Sequence, residues 1–154
     1  MRTTVDVHNF LVERDIPHEM VSTRRRVRSP DQIAGVLGLE AAQVGRVVIH
    51  EGPGGLVAAV VPADRSPDAA LLAASADREP LEEASAERAT ELTQFLTEAM
   101  PPVALPEGTL VVMDTALADQ DVLYFPGGEP TSVLKIRPHD LLEAAEARTA
   151  GIVA

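Results

Sequence analysis

The sequence contains no cysteine and no tryptophan, and only 3% of its residues are aromatic. Without cysteine there can be no disulfide, no thiolate metal site and no cysteine nucleophile. Positive charge is scarce: 13 basic residues face 24 acidic ones, for a net charge of −11, and Lys135 is the sole lysine. Such a surface repels nucleic acid on average, so any RNA contact must come from a local basic patch. No apolar run approaches the ~18 residues of a membrane span. The amino terminus, MRTTVDVHNF, lacks the apolar core of a signal peptide, so the cytoplasm is the expected location. There is no G-x-S-x-G elbow, no P-loop and no G-x-G-x-x-G fingerprint. His8, His18, His50 and His139 show neither HxxxH nor HExxH spacing, so neither a metal nor another cofactor is expected.

What is present is an ordinary globular composition, 45% hydrophobic and 24% charged over 154 residues. One domain spanning residues 1–154 is expected, and a chain of this size buries roughly 70% of its unfolded surface. The centre of the pattern is Val44 to Asp64. Two apolar strands, Val47–His50 and Leu56–Val61, flank a turn on Gly52, Pro53, Gly54 and Gly55. Near-continuous apolar strands of this kind are buried on both faces. Arg46 stands charged at the mouth of the first.

Around this hairpin, Val5 to Arg14 has helical spacing with Thr3 or Thr4 as cap, and His18 to Ser22 reads as a short strand. Ser29-Pro30-Asp31-Gln32 predicts a capping box opening a helix that buries Ile33, Val36 and Leu37 and stops at Gly38. Ser66-Pro67-Asp68 repeats that grammar before Leu71 and Leu72, and Ser85 caps a helix carrying Ala89, Leu92 and Leu96. Three prolines between Met100 and Gly108 forbid regular structure there. Strands follow over Thr109–Asp114, Val122–Phe125 and Ser132–Ile136, then a helix from Pro138-His139-Asp140. With no repeat and no linker, these elements predict a mixed α/β fold around one shared core. The local basic patch is Arg24, Arg25, Arg26 and Arg28, which is equally a solvated loop or an RNA contact.

Taken in order, these segments resemble the YbaK/ProX family of free-standing aminoacyl-tRNA deacylases, the domain also inserted in bacterial prolyl-tRNA synthetases as their editing module. The resemblance runs from about Val5 to Ala147. It is carried by Ser29–Leu39 (SPDQIAGVLGL), Gln43–Ile49 (QVGRVVI), Val57–Ala63 (VAAVVPA), Leu110–Leu117 (LVVMDTAL), Tyr124–Gly128 (YFPGG) and Leu134–Leu141 (LKIRPHDL). It implies a mixed β-sheet forming a pocket flanked by helices. It also implies hydrolysis of a mischarged aminoacyl ester, typically tRNA for proline carrying a small amino acid. In that family no protein nucleophile is needed; the ester is positioned and its oxyanion stabilised by backbone N–H groups.

By that resemblance Arg46 and Ala99 take the catalytic positions. Thr23, His50, Met100, Pro102, Gly127, Gly128 and Ser132 take the substrate contacts, and Arg24, Arg25, Arg26 and Arg28 the tRNA. The implied partners are the acceptor end of a mischarged tRNA and an aminoacyl-tRNA synthetase, with no membrane. The chain departs from the family pattern at the pocket. The family lysine falls on Arg46, and the Gly-Gly-x-x-Pro loop falls on Glu98-Ala99-Met100-Pro101-Pro102, where only the proline is kept. The serine before Gly127-Gly128 is Pro126, and an acidic residue of the last strand falls near Val133. These departures define the alternative: a paralogue that binds tRNA or an aminoacyl ligand without hydrolysing it.

Overall fold

Alternation along the central hairpin sets the architecture. The computed structural model describes residues 1–154, with β2 (Gly45–Gly52) and β3 (Gly55–Pro62) paired antiparallel so that Gly52 faces Gly55. That register leaves Pro53 and Gly54 as a two-residue turn, and Gly55 takes φ +110°, open to glycine at no steric cost. Successive side chains point to opposite faces. Val47, Ile49, Ala58 and Val60 enter a main core, while Val48, Val57, Ala59 and Val61 enter a second one on the reverse face. Burial on both sides is why the strands read as continuous apolar runs.

The remaining elements cover those two faces. β5 (Leu110–Asp114) pairs parallel with β3, β8 (Arg148–Ala150) parallel with β5, and β4 (Glu82–Glu83) antiparallel with β2. The resulting mixed sheet has the order β4-β2-β3-β5-β8. A second, antiparallel sheet has the order β1-β7-β6, from β1 (Glu19–Ser22), β6 (Leu123–Pro126) and β7 (Ser132–Ile136). The main core combines residues of both sheets, such as Ile49 of the first and Phe125 and Leu134 of the second, with Val7 and Leu11 of α1 (Thr4–Glu13), Leu117 of α5 (Thr115–Ala118) and Leu141 of α6 (Pro138–Ala145). Leu72 and Ala76 of α3 (Ala69–Ala76) cover the reverse face. No helix is long and apolar enough to cross a membrane.

Several local expectations are met by named contacts. Thr3 caps α1 in a reciprocal box with Asp6. Ser85 accepts the Arg88 amide at 3.1 Å to open α4 (Ala86–Thr93). Others are corrected. The one shared core is three clusters, the smallest lying around Val27, Ile33, Val44 and Val133. Ser29 makes no backbone cap: its hydroxyl donates to the Asp31 carboxylate, and Gln32 accepts from the Arg28 amide. The segment therefore starts as a 3-10 turn, Pro30–Gln32, before a short α2 (Ile33–Leu37) ending at Gly38 with φ +69°. In so short a helix one residue, Ile33, is buried, and Val36 is exposed. Asp68, not Ser66, caps α3, which turns Leu71 outward and Leu72 in. Leu96 lies beyond α4, because Gln94 takes a left-handed conformation at φ 65° and ends the helix.

Candidate functional site

The mouth of β2 is where the charged loops converge. Gly45 lets the Phe125 ring lie against the strand, since a Cβ there would stand 2.2 Å from Phe125 Cε1. The next residue, Arg46, shares its face of β2 with Val48 and reaches out over the connection between β3 and α3. Its Nε donates to the Arg65 carbonyl at 3.0 Å and its Nη2 to Ser66 Oγ at 3.1 Å. It has no carboxylate partner, and Nη1 keeps its donors free.

Arg46 and Val47 line an open groove of about 660 Å³. Arg28, Ser29 and Pro30 contribute from the arginine loop, Ala86, Glu87 and Thr90 from α4, and Leu96, Thr97 and Glu98 from the turn after it. Hydroxyl hydrogen bonds fix that last wall. Thr97 Oγ1 donates to the Ala86 carbonyl at 2.6 Å, so its 3.2 Å contact with Thr90 requires Thr90 to donate. Thr90 Oγ1 therefore keeps lone pairs and no proton for the groove. α4 itself is clamped to β2 by a two-pronged pair, Arg88 Nε and Nη2 on the Glu51 carboxylate at 3.1 and 3.2 Å. Those bonds raise the Arg88 pKa above its ordinary value, with Glu91 adding to the effect.

The sequence-predicted residues distribute unevenly around this groove. Arg24, Arg25 and Arg28 are exposed and free of carboxylates, whereas Arg26 is ion-paired with Glu98. Thr23 is buried, its hydroxyl donating to the Arg25 carbonyl at 2.7 Å and its amide to the Thr131 carbonyl at 2.8 Å, so it shapes the arginine loop. Ala99 is fully buried and its N–H donates to the Leu96 carbonyl at 3.0 Å; it offers the groove no free donor. The Met100 N–H is turned to the Thr97 carbonyl in the same way, and its side chain is buried. Gly128 belongs to the interior as well. With φ +98°, it donates to the Ala99 carbonyl at 3.0 Å, and a Cβ would meet Val7 at 3.0 Å and Phe95 at 3.2 Å. Gly127 donates to the Ser132 carbonyl, closing the turn between β6 and β7. None of Thr23, Ala99, Met100, Gly127 and Gly128 lines the groove.

His50 and Pro102 lie elsewhere. His50 is 4% exposed on β2, donates Nδ1–H to the Val48 carbonyl at 3.1 Å, and does not line the groove. Burial holds its pKa below 6.5, against smaller upward effects of the Val48 hydrogen bond and the Glu83 charge. Pro102 lines a different cavity of about 870 Å³, beside Arg2 and Phe10. Conversely, Thr90, Leu96, Thr97 and Glu87 line the groove although no sequence motif points to them. The Ser85 cap fixes the phase of α4 and so bears on Glu87 and Thr90, whereas Leu96 and Thr97 lie beyond that helix and carry no such signal.

With this geometry in place, comparison with known proteins identifies the class. The hypothetical protein APE2540 has the same fold, with a TM-score of 0.89 at 25% identity, covering 97% of this chain and 99% of that one. A candidate trans-editing enzyme for prolyl tRNA synthetase shares the fold at a TM-score of 0.88 and 22% identity, covering 100% of this chain and 98% of that one. Among curated proteins, none matches the chain. The aminoacyl-tRNA editing domain family matches over residues 25–144, and the chain belongs to that family.

Proposed function

We propose that the protein hydrolyses the ester of a mischarged aminoacyl-tRNA, with tRNA for proline carrying a small amino acid as its substrate, in trans to the synthetase that made the error. The observation that carries this reading is the polarity of the groove. Arg28 and Arg46 stand on one set of elements, and Glu87, Glu98 and the Thr90 oxygen on another. An aminoacyl end has the same polarity, with a phosphate at the nucleotide and an ammonium on the amino acid.

In this reading Arg46 Nη1 and Arg28 hold the terminal phosphate, a planar guanidinium being suited to phosphate oxygens. The α-ammonium is received by Thr90 Oγ1 and the carboxylates, and the amino-acid side chain rests against Val47 and Leu96. Glu98 is held by Arg26, which offsets the repulsion a bare carboxylate would exert on a developing oxyanion. Water adds to the carbonyl carbon, the carbon–oxygen bond to the ribose breaks, and the water proton leaves with the ribose oxygen. Positioning is sufficient for an activated ester, and no side-chain nucleophile is assigned.

The second reading, binding without hydrolysis, is favoured by the Ala99 and Met100 amides, both spent inside the loop. Ester loss from alanyl-tRNA for proline separates the two. Turnover in the wild type that is lost in Arg46→Ala, with unfolding unchanged, supports the deacylase. No acceleration over buffer, with tRNA bound, leaves the binder.

A further inference from the structure

His8 lies on α1 and His18 just before β1, ten residues apart in sequence, yet His8 Nδ1 stands 2.9 Å from His18 Nε2. The other nitrogen of His18, Nδ1, is 2.9 Å from the Ile16 carbonyl, which can only accept. Nδ1 therefore carries the proton, and Nε2 accepts a hydrogen bond from His8 Nδ1–H, a proton that a metal would replace once the His8 ring takes its other tautomer. The tie of the far nitrogen to a backbone carbonyl is the orientation usual in a metal-ligating histidine, and it keeps the near nitrogen in the form that has a lone pair to give. We propose that His8 and His18 form a two-nitrogen site for a divalent transition metal of tetragonal preference, Cu(II) or Ni(II), clipping α1 to β1.

The preference follows from the spacing. With metal–nitrogen bonds of ~2.0–2.1 Å, nitrogens 2.9 Å apart subtend about 90° at the metal. That is the angle between neighbouring ligands of a square-planar or tetragonal ion. A tetrahedral ion needs the two nitrogens about 3.3 Å apart at the same bond length, so Zn(II) would have to force the rings open. Access and charge suit a cation: His8 is exposed, His18 half-buried. His18 also borders an open groove whose carboxylates, Glu19, Asp121 and Asp140, outnumber its cations, Lys135 and Arg137. The remaining coordination positions belong to water. Helical spacing rules could not find the pair, because one ligand sits on a helix and the other on the chain returning past Ile16.

A second group, His139, Asp140 and Glu143, also brings ligand atoms within 4.8 Å of one another. It lies at the start of α6, where the positive end of the helix dipole opposes a cation, and it serves as the control.

The test is calorimetric titration of the full chain with NiCl2 and, separately, ZnCl2, for wild type, His8→Gln, His18→Gln and His139→Gln. One Ni(II) per chain is expected, bound more tightly than Zn(II). Each of the first two substitutions should weaken it roughly tenfold or more, as loss of even an outer-shell partner does. His139→Gln should leave it unchanged. The electron paramagnetic spectrum of wild type with one equivalent of Cu(II) should show two imidazole nitrogens, a readout that needs no variant to fold. Absence of binding, tighter Zn(II) than Ni(II), full affinity in His8→Gln or His18→Gln, or loss in His139→Gln would each overturn the site.

Discussion

Gly45→Ala tests how the hairpin carries the candidate groove. Removing a strand glycine whose backbone is unstrained normally stabilises by ~0.4–1 kcal/mol, through the unfolded chain. Here the added Cβ would lie 2.2 Å from Phe125 Cε1 and 2.9 Å from Cζ, against an ordinary carbon contact of ~3.5–4.0 Å. The ring must move by more than 1 Å, and it is fully buried in the main core among β2, β6 and β7. Overpacking of this kind costs about 1–3 kcal/mol, and so large a displacement belongs at the upper end. For a chain of this length, about 3 kcal/mol lowers Tm by roughly 6–12 °C. Urea unfolding of Gly45→Ala, Phe125→Leu and the double variant measures the effect and its cause. The double variant should be less destabilised than the sum of the singles, because the smaller side chain removes the clash. The opposite sign for Gly45→Ala, or strict additivity, would refute the packing argument.

The remaining predictions concern charge and capping. His50 is neutral in the fold, with its pKa held below 6.5 chiefly by burial. The unfolded chain therefore binds more protons below about pH 7, so stability falls as pH drops through 6.5 and levels off below the folded value. His50→Gln should remove that part of the slope in urea unfolding followed across pH. Ser85→Ala should cost about 1 kcal/mol by losing the α4 cap, and turnover should fall with it if α4 forms the ammonium wall; unaltered unfolding would contradict the capping role. Arg24→Ala with Arg25→Ala should flatten the logarithmic salt dependence of tRNA binding by roughly 1.4–1.8, since two phosphates would keep their counterions. An unchanged slope would place those arginines away from RNA.

The parts of the fold legible in the sequence are those where one local rule dominates. The Gly52–Gly55 turn and the strand Ser132–Ile136 follow from turn chemistry and alternation, and both are found at the predicted residues. Ser85 and Thr3 cap as expected because nothing competes for their oxygens. Ser29 fails because Asp31, two residues on, takes its hydroxyl, a competition that a capping motif does not encode. Val36 and Leu71 fail because neighbouring apolar residues in a short helix are interchangeable until tertiary packing chooses between them. Arg46, which lines the groove, was singled out through family resemblance. Thr90 and Leu96 were not, since local spacing does not say that the turn after α4 folds back beside β2. Gly127, Gly128 and Ala99 have the right place in the chain but face inward, their amides spent on backbone carbonyls instead of on a ligand.

The net charge of −11 and an RNA substrate are compatible because fields from exposed charges decay within a Debye length of about 8 Å at physiological salt. What a phosphate feels is the set of cations within that distance that carboxylates do not already neutralise. Arg14, Arg26, Arg88 and Lys135 are each within 4.0 Å of a carboxylate, whereas Arg24, Arg25, Arg28 and Arg46 are not. Arg28 and Arg46 line the groove, and Arg24 and Arg25 belong to the loop that forms its edge. Arg26, spent on Glu98, holds that loop against the turn after α4 and so sets where the free arginines stand. Acidity elsewhere then acts as a filter. A polyanion lying along the surface is repelled over most of its length, while one presenting a narrow end can be met by Arg28 and Arg46 on the wall opposite Glu87 and Glu98. On the proposed reading, a groove built this way would favour the terminus of an RNA over its body.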